Sequence, residues 1–100
     1  MNEICIDQNQ RKIVLGILKK HFVSQKFYVF GSRANHKNLK PFSDLDIAIF
    51  GLNPGASLSL DRASEDFSAS DLPFKVDLID INSISTEFRN NIEPDFVELK

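Results

Sequence analysis

The sequence predicts an α/β (α+β) fold: a mixed sheet of three to four strands with helices mainly on one face. Three observations predict it. Apolar residues recur at helical spacing over residues 8–23, and again in weaker stripes near 60–67 and 84–92. Short β-branched and aromatic runs lie between those stripes, at Lys26–Phe30, Leu45–Phe50 and Lys75–Asp80. Gly31 stops the first run, and Gly51 with Asn53-Pro54-Gly55 closes the second. Helices interleaved with strands argue for one sheet covered by helices.

Each element has its own signal. Asp7 reads as a helix N-cap, and Gln10 three residues on completes a capping-box pattern. Ile13, Val14, Ile17, Leu18 and Phe22 then form the apolar stripe of an amphipathic helix. Lys26–Phe30 is a strand running into a turn. Residues 31–43 are polar and basic and contain Pro41, so Leu45–Phe50 begins a new strand. Leu60, Ala63, Ser64 and Phe67 outline a second helix, ended by Asp71-Leu72-Pro73. Ile84, Phe88 and Ile92 outline a third after the strand Lys75–Asp80, and Phe96–Leu99 reads as a short edge strand.

Composition bounds the possibilities. One hundred residues suit a single domain, 1–100, whose core buries roughly two-thirds of the unfolded chain's surface. Twelve Lys+Arg against 14 Asp+Glu give a net charge of −2, which excludes gripping nucleic acid by overall charge. The single cysteine, Cys5, excludes an internal disulfide and a multi-Cys zinc site. The apolar stretch Ile13–Leu18 is interrupted by Gly16 and too short to span a membrane, and the first ten residues lack a secretory pattern. These features predict a cytoplasmic protein.

Three features carry chemistry. Gly31-Ser32-Arg33 follows a strand directly. Gly31 permits a sharp turn and close approach of a ligand. A helix starting near Ser32 would aim free amides at the turn, with the Ser32 hydroxyl as a further donor, and Arg33, His36, Lys37 and Lys40 add positive charge. The natural ligand is a phosphate chain. Next, Asp44 and Asp46 flank Leu45 at the start of the second strand, so both carboxylates project from one side. Bare, they repel each other, and their oxygens suit a hard cation such as Mg²⁺. Last, Asp77 lies within the apolar strand Val76-Asp77-Leu78-Ile79, where a carboxylate is costly unless paired, hydrogen-bonded or metal-bound. If that strand lies beside the second, Asp77 completes a three-carboxylate cluster able to hold two ions roughly 4 Å apart for phosphoryl displacement.

Taken together, GSRANHKNLKPFSDLDIAIF followed by KVDLID resembles the minimal nucleotidyltransferases of the DNA polymerase β superfamily. Their pattern is Gly-Ser, a spacer, Asp-x-Asp, and a third Asp on a later strand. Arg33-Ala34 fits the usual continuation of the Gly-Ser, whereas Asn35-His36 replaces a basic residue and a glycine. The resemblance implies that Gly31, Ser32 and Arg33 bind the nucleotide. It implies that Asp44, Asp46 and Asp77 are the catalytic, Mg²⁺-binding residues, with Asp77 at the attacking hydroxyl. The reaction implied moves AMP from ATP to a hydroxyl and releases pyrophosphate.

Larger relatives carry a helical domain for the acceptor, and the chain ends about twenty residues after Asp77, so another chain is expected to present it. Proteins of this kind resemble the antitoxin half of HEPN/MNT toxin–antitoxin pairs. That implies a HEPN toxin as partner and adenylylation of one of its tyrosines, with nucleic acid not the direct substrate. The alternatives are nucleotidyl transfer to a small molecule and an antitoxin that acts by binding alone.

The bland readings are also specific. Asp44 and Asp46 would be a polar turn followed by a strand, Asp77 a buried or edge carboxylate paired with a basic neighbour such as Lys75, and Arg33 a solvated charge. Asp80 falls on the opposite face from Asp77 and reads as the cap region of the next helix. His21 reads as a favourable charge at a helix C-terminus or a surface residue, Cys5 has no assigned role, and Tyr28 and the nine phenylalanines read as mostly core.

Overall fold

The computed structural model describes residues 3–100. Its helices are α1 (Gln8–His21), α2 (Ser32–Asn35), α3 (Ser57–Ser68) and α4 (Thr86–Ile92), and its strands are β1 (Lys26–Phe30), β2 (Leu45–Phe50), β3 (Val76–Asp80) and β4 (Val97–Leu99). Short 3-10 turns cover Ile81–Ser83 and Glu93–Asp95. The sheet order is β3-β2-β1-β4, with β1 antiparallel to both neighbours and β2 parallel to β3. The sheet is therefore mixed. Because β1 runs against β2 and β3, its C-terminal end lies beside their N-terminal ends, and all three sequence features meet at that end.

The capping box of α1 forms as the spacing predicts. Asp7 Oδ1 accepts from the Gln10 amide at 2.7 Å, and Gln10 Oε1 accepts from the Asp7 amide at 3.0 Å. The helix stops at His21, short of residue 23, because Phe22 turns extended at φ −133°. Val14 and Leu18 then bury against β1, β2 and Ala63 and Phe67 of α3. Leu45, Ile47 and Ile49 of β2 are completely buried in this layer, each contributing about 1.5–3 kcal/mol of burial. His21 Nε2 lies 2.6 Å from Asp66 Oδ2, and Lys20 Nζ donates to the same oxygen at 3.1 Å, so His21 joins α1 to α3.

The opposite sheet face has a smaller core of Phe30, Ala48, Ile81 and Ile92, covered by α4. The two long helices thus share one face, as predicted, and only the short α4 lies on the other. Ser85 caps α4, its Oγ accepting from the Phe88 amide at 3.1 Å. Asp80 lies just upstream and instead caps the 3-10 turn, accepting from the Asn82 amide at 3.0 Å. The third strand begins at Val76; Lys75 precedes it but still accepts from the Leu45 amide at 2.8 Å. The short strand expected at Phe96–Leu99 is β4, at the sheet edge beside β1.

Candidate active site

The site starts at Gly31, where β1 ends. Its backbone takes φ +76° and ψ −158°, a combination open essentially to glycine. Space excludes a side chain as well: a Cβ there would lie 2.6 Å from Asp46 Oδ2. Gly31 therefore serves the turn and lets Asp46 lie over it. Ser32 opens α2, so the amides of Ser32 and Arg33 have no helical acceptor before them. Ser32 is half-buried at the same sheet end. His36, in the position where the family pattern has glycine, closes α2 in the left-handed region at φ +63°.

Asp46 and Asp77 are register partners on the parallel pair β2 and β3. Parallel partners point to the same side, so the topology brings both carboxyls to one face. Asp46 is half-buried, while Asp44 and Asp77 are exposed. Burial first, then the charges of Asp77 and Asp44 and a hydrogen bond with Asp77, hold the Asp46 carboxyl up at about 6. The exposure of Asp77 corrects one expectation. β3 is an edge strand, so this carboxylate is not forced to find a partner to offset burial.

These residues can be tested for fit to Mg²⁺. Among the described residues, no three His, Cys, Asp or Glu side chains converge into a ready cage. Mg²⁺ seldom uses one: it takes one or two carboxylates and completes its shell with water and substrate phosphates. The donor set here is all carboxylate, and the crowding around Asp46 is the charge a divalent cation would relieve. In donor chemistry the residues fit.

Arg33 departs from the expected phosphate contact. It is the one charged residue buried among those described, at 5% exposure. Nε donates to the Ser43 carbonyl at 2.9 Å, one terminal nitrogen to Cys5 at 2.7 Å and the other to Pro41 at 3.1 Å. Its guanidinium also stacks on Phe74, 4.0 Å from the ring centroid. A fork held by three carbonyls and a ring is neither a solvated charge nor a free phosphate donor. No spacing in the sequence marks this role, or that of Phe74, because the partners are mostly backbone and distant in the chain. An open cavity of about 490 Å³ adjoins Asp44, lined by Phe42, Phe67, Leu72, Phe74 and Lys75.

Residues 12–97 match the family model described as polymerase beta, nucleotidyltransferase. The chain belongs to this family. A nucleotidyltransferase relative, the probable protein adenylyltransferase MntA of Haemophilus influenzae, is 38% identical over 98 residues, covering 98% of this chain and 85% of that protein. The same nucleotidyltransferase fold appears in a solved toxin–antitoxin complex with AMP-PNP, with a TM-score of 0.71, 23% identity, and coverage of 90% of this chain and 72% of that one. It appears again in a complex of tri-AMPylated Shewanella oneidensis HEPN toxin with its MNT antitoxin, at a TM-score of 0.69 and 22% identity, over 95% of this chain and 72% of that one. The mixed sheet with Gly31, Asp46 and Asp77 at one end is thus a nucleotidyltransferase framework.

Proposed function

We propose that this chain transfers AMP from ATP to a hydroxyl, the acceptor being a tyrosine of a HEPN toxin that it thereby silences. The observation that carries this reading is the meeting of the Gly31 turn with Asp46 and Asp77 at one sheet end. It is supported by 38% identity to a probable protein adenylyltransferase over nearly the whole chain. Relatives of the same fold are seen with AMP-PNP and with an AMPylated toxin.

In this reading the turn at Gly31 and the Ser32 hydroxyl and amide hold the triphosphate. Asp44, Asp46 and Asp77 would hold two Mg²⁺ ions, which would offset negative charge on the reacting phosphates. Asp77, exposed at the sheet edge, faces the incoming acceptor and helps take its hydroxyl proton. The acceptor oxygen forms a bond to the α-phosphorus, the bond to pyrophosphate breaks, and the proton leaves the hydroxyl. Positioning contributes much of the rate. The chain works as a single domain in the cytoplasm. No helix among the described residues is long and apolar enough to cross a membrane.

Incubation with labelled ATP, Mg²⁺ and the product of the neighbouring gene tests the proposal. Label on a toxin tyrosine, with loss of toxin activity, is the expected result. Tight binding with no label transferred would reject the enzyme and leave an antitoxin acting by contact alone.

A further inference from the structure

We propose that Arg33 is a positioning residue for nucleotidyl transfer, tying together the roots of the three segments that carry the site. The inference rests on the transfer reading for its catalytic consequence, but the tie itself stands on geometry. Arg33 follows Ser32 in α2, so its backbone moves with the phosphate-binding turn. Its side chain holds the carbonyls of Pro41 and Ser43, the residues that lead into Asp44. Its guanidinium lies on Phe74, three residues before Asp77. The Cys5 carbonyl accepts from the same fork, while the Cys5 amide donates to the Arg33 carbonyl at 2.7 Å.

This arrangement addresses a specific structural problem. Residues 36–43 form an irregular connection, with His36 and Asn38 both at positive φ. Few regular contacts fix such a segment, yet it must deliver Asp44 to within reach of what Asp46 binds. A planar guanidinium reaches several carbonyls at fixed angles, which a lysine ammonium cannot reproduce. Burial at 5% exposure strengthens those bonds and makes breaking them costly. Arg33 thus sets where the first carboxylate stands relative to the phosphate turn and to Asp77, without touching the nucleotide.

The test uses the full chain with Arg33→Lys and Arg33→Gln. The first readout is amide hydrogen exchange without nucleotide. The amides of Lys40 and Ser43 are hydrogen-bonded within the clamped segment, to Ser43 Oγ and the Lys40 carbonyl. Both variants should speed their exchange by about tenfold or more, while amides of β1 and β2 stay within about twofold. The second readout is binding of a non-hydrolysable ATP analogue. Affinity without Mg²⁺ should hold within about twofold, while the Mg²⁺ concentration for half-maximal enhancement rises about tenfold. An equal loss without Mg²⁺ would make Arg33 a phosphate contact and overturn the proposal. Uniformly faster exchange, or failure of both variants to fold, would make it a general core residue and overturn it equally. Failure of the wild type to transfer AMP, with the local exchange pattern intact, would reject the transfer reading and leave the tie standing.

Discussion

Asp46 and Asp77 face each other across the parallel pair β2 and β3, one half-buried and the other exposed at the sheet edge. Burial first, and then the neighbouring charge of Asp77, disfavour the ionised form of Asp46, whose carboxyl is held at about 6 rather than the ordinary 3.8. A carboxyl with a raised native value binds its proton more tightly in the folded state. Its contribution to stability is fully present below about 4, declines as pH rises towards about 6, and is level above.

The metal-free protein should therefore lose on the order of 2–3 kcal/mol between pH 4 and 7 through this group. Urea midpoints measured across that range with a chelator present would show it. Asp46→Asn should remove most of the slope and be more stable than the wild type at pH 7.5, while losing AMP transfer. Parallel pH profiles for the two proteins would refute the assignment. Mg²⁺ with ATP should raise the wild-type melting temperature at pH 7.5 and raise that of the variant much less.

Gly31→Ala combines two effects. The φ of +76° strains the backbone, costing about 1–3 kcal/mol, and the new Cβ displaces the Asp46 carboxylate. Gly55→Ala is the control, since Gly55 has φ +88° but a methyl there would meet nothing within 4 Å. Both should lower the melting temperature, and only Gly31→Ala should reduce AMP transfer, by about tenfold or more. Equal transfer rates in the two variants would remove the Gly31–Asp46 contact from the mechanism.

Asp44→Asn and Asp77→Asn alter exposed side chains, so near pH 4 the fold should tolerate both within about 0.5 kcal/mol. AMP transfer should fall by about a hundredfold or more in each. Asp77→Asn should also lower the Asp46 carboxyl towards its ordinary range and flatten the pH dependence described above. Retained Mg²⁺-dependent transfer in either variant would exclude that residue from the chemistry.

Asp7→Ala removes one side of the α1 capping box and should cost about 1 kcal/mol. For a domain of this size that is about 4–8 °C in melting temperature. Transfer measured well below the transition should be unchanged, because α1 packs on the sheet face away from Asp46 and Asp77.

Much of this was legible in the sequence, for physical reasons. Lys26–Phe30 and Leu45–Phe50 match β1 and β2 to the residue, because Gly31, Gly51 and the polar segment before Asp44 bound apolar runs of strand length. Asp46 and Asp77 could be paired because each occupies a defined place on its own strand. Strand order was less accessible, so the sequence left Asp77 as either a buried or an edge carboxylate, and only the sheet order places it at the edge. Arg33 misled for a related reason. A lone arginine in a basic segment looks solvated or phosphate-bound, and only the return of Cys5, Pro41 and Phe74 to one point reveals its use.

The antiparallel pairing of β1 and β2 sets Phe30 against Asp46 at one end and Lys26 against Phe50 at the other. The loop Gly51–Gly55, exposed except at Leu52, therefore hangs from the pole remote from Gly31 and Asp46. A fluorophore or affinity handle grafted at Asn53 or Pro54 would ride with the molecule while leaving the end that carries Gly31, Asp46 and Asp77 uncovered.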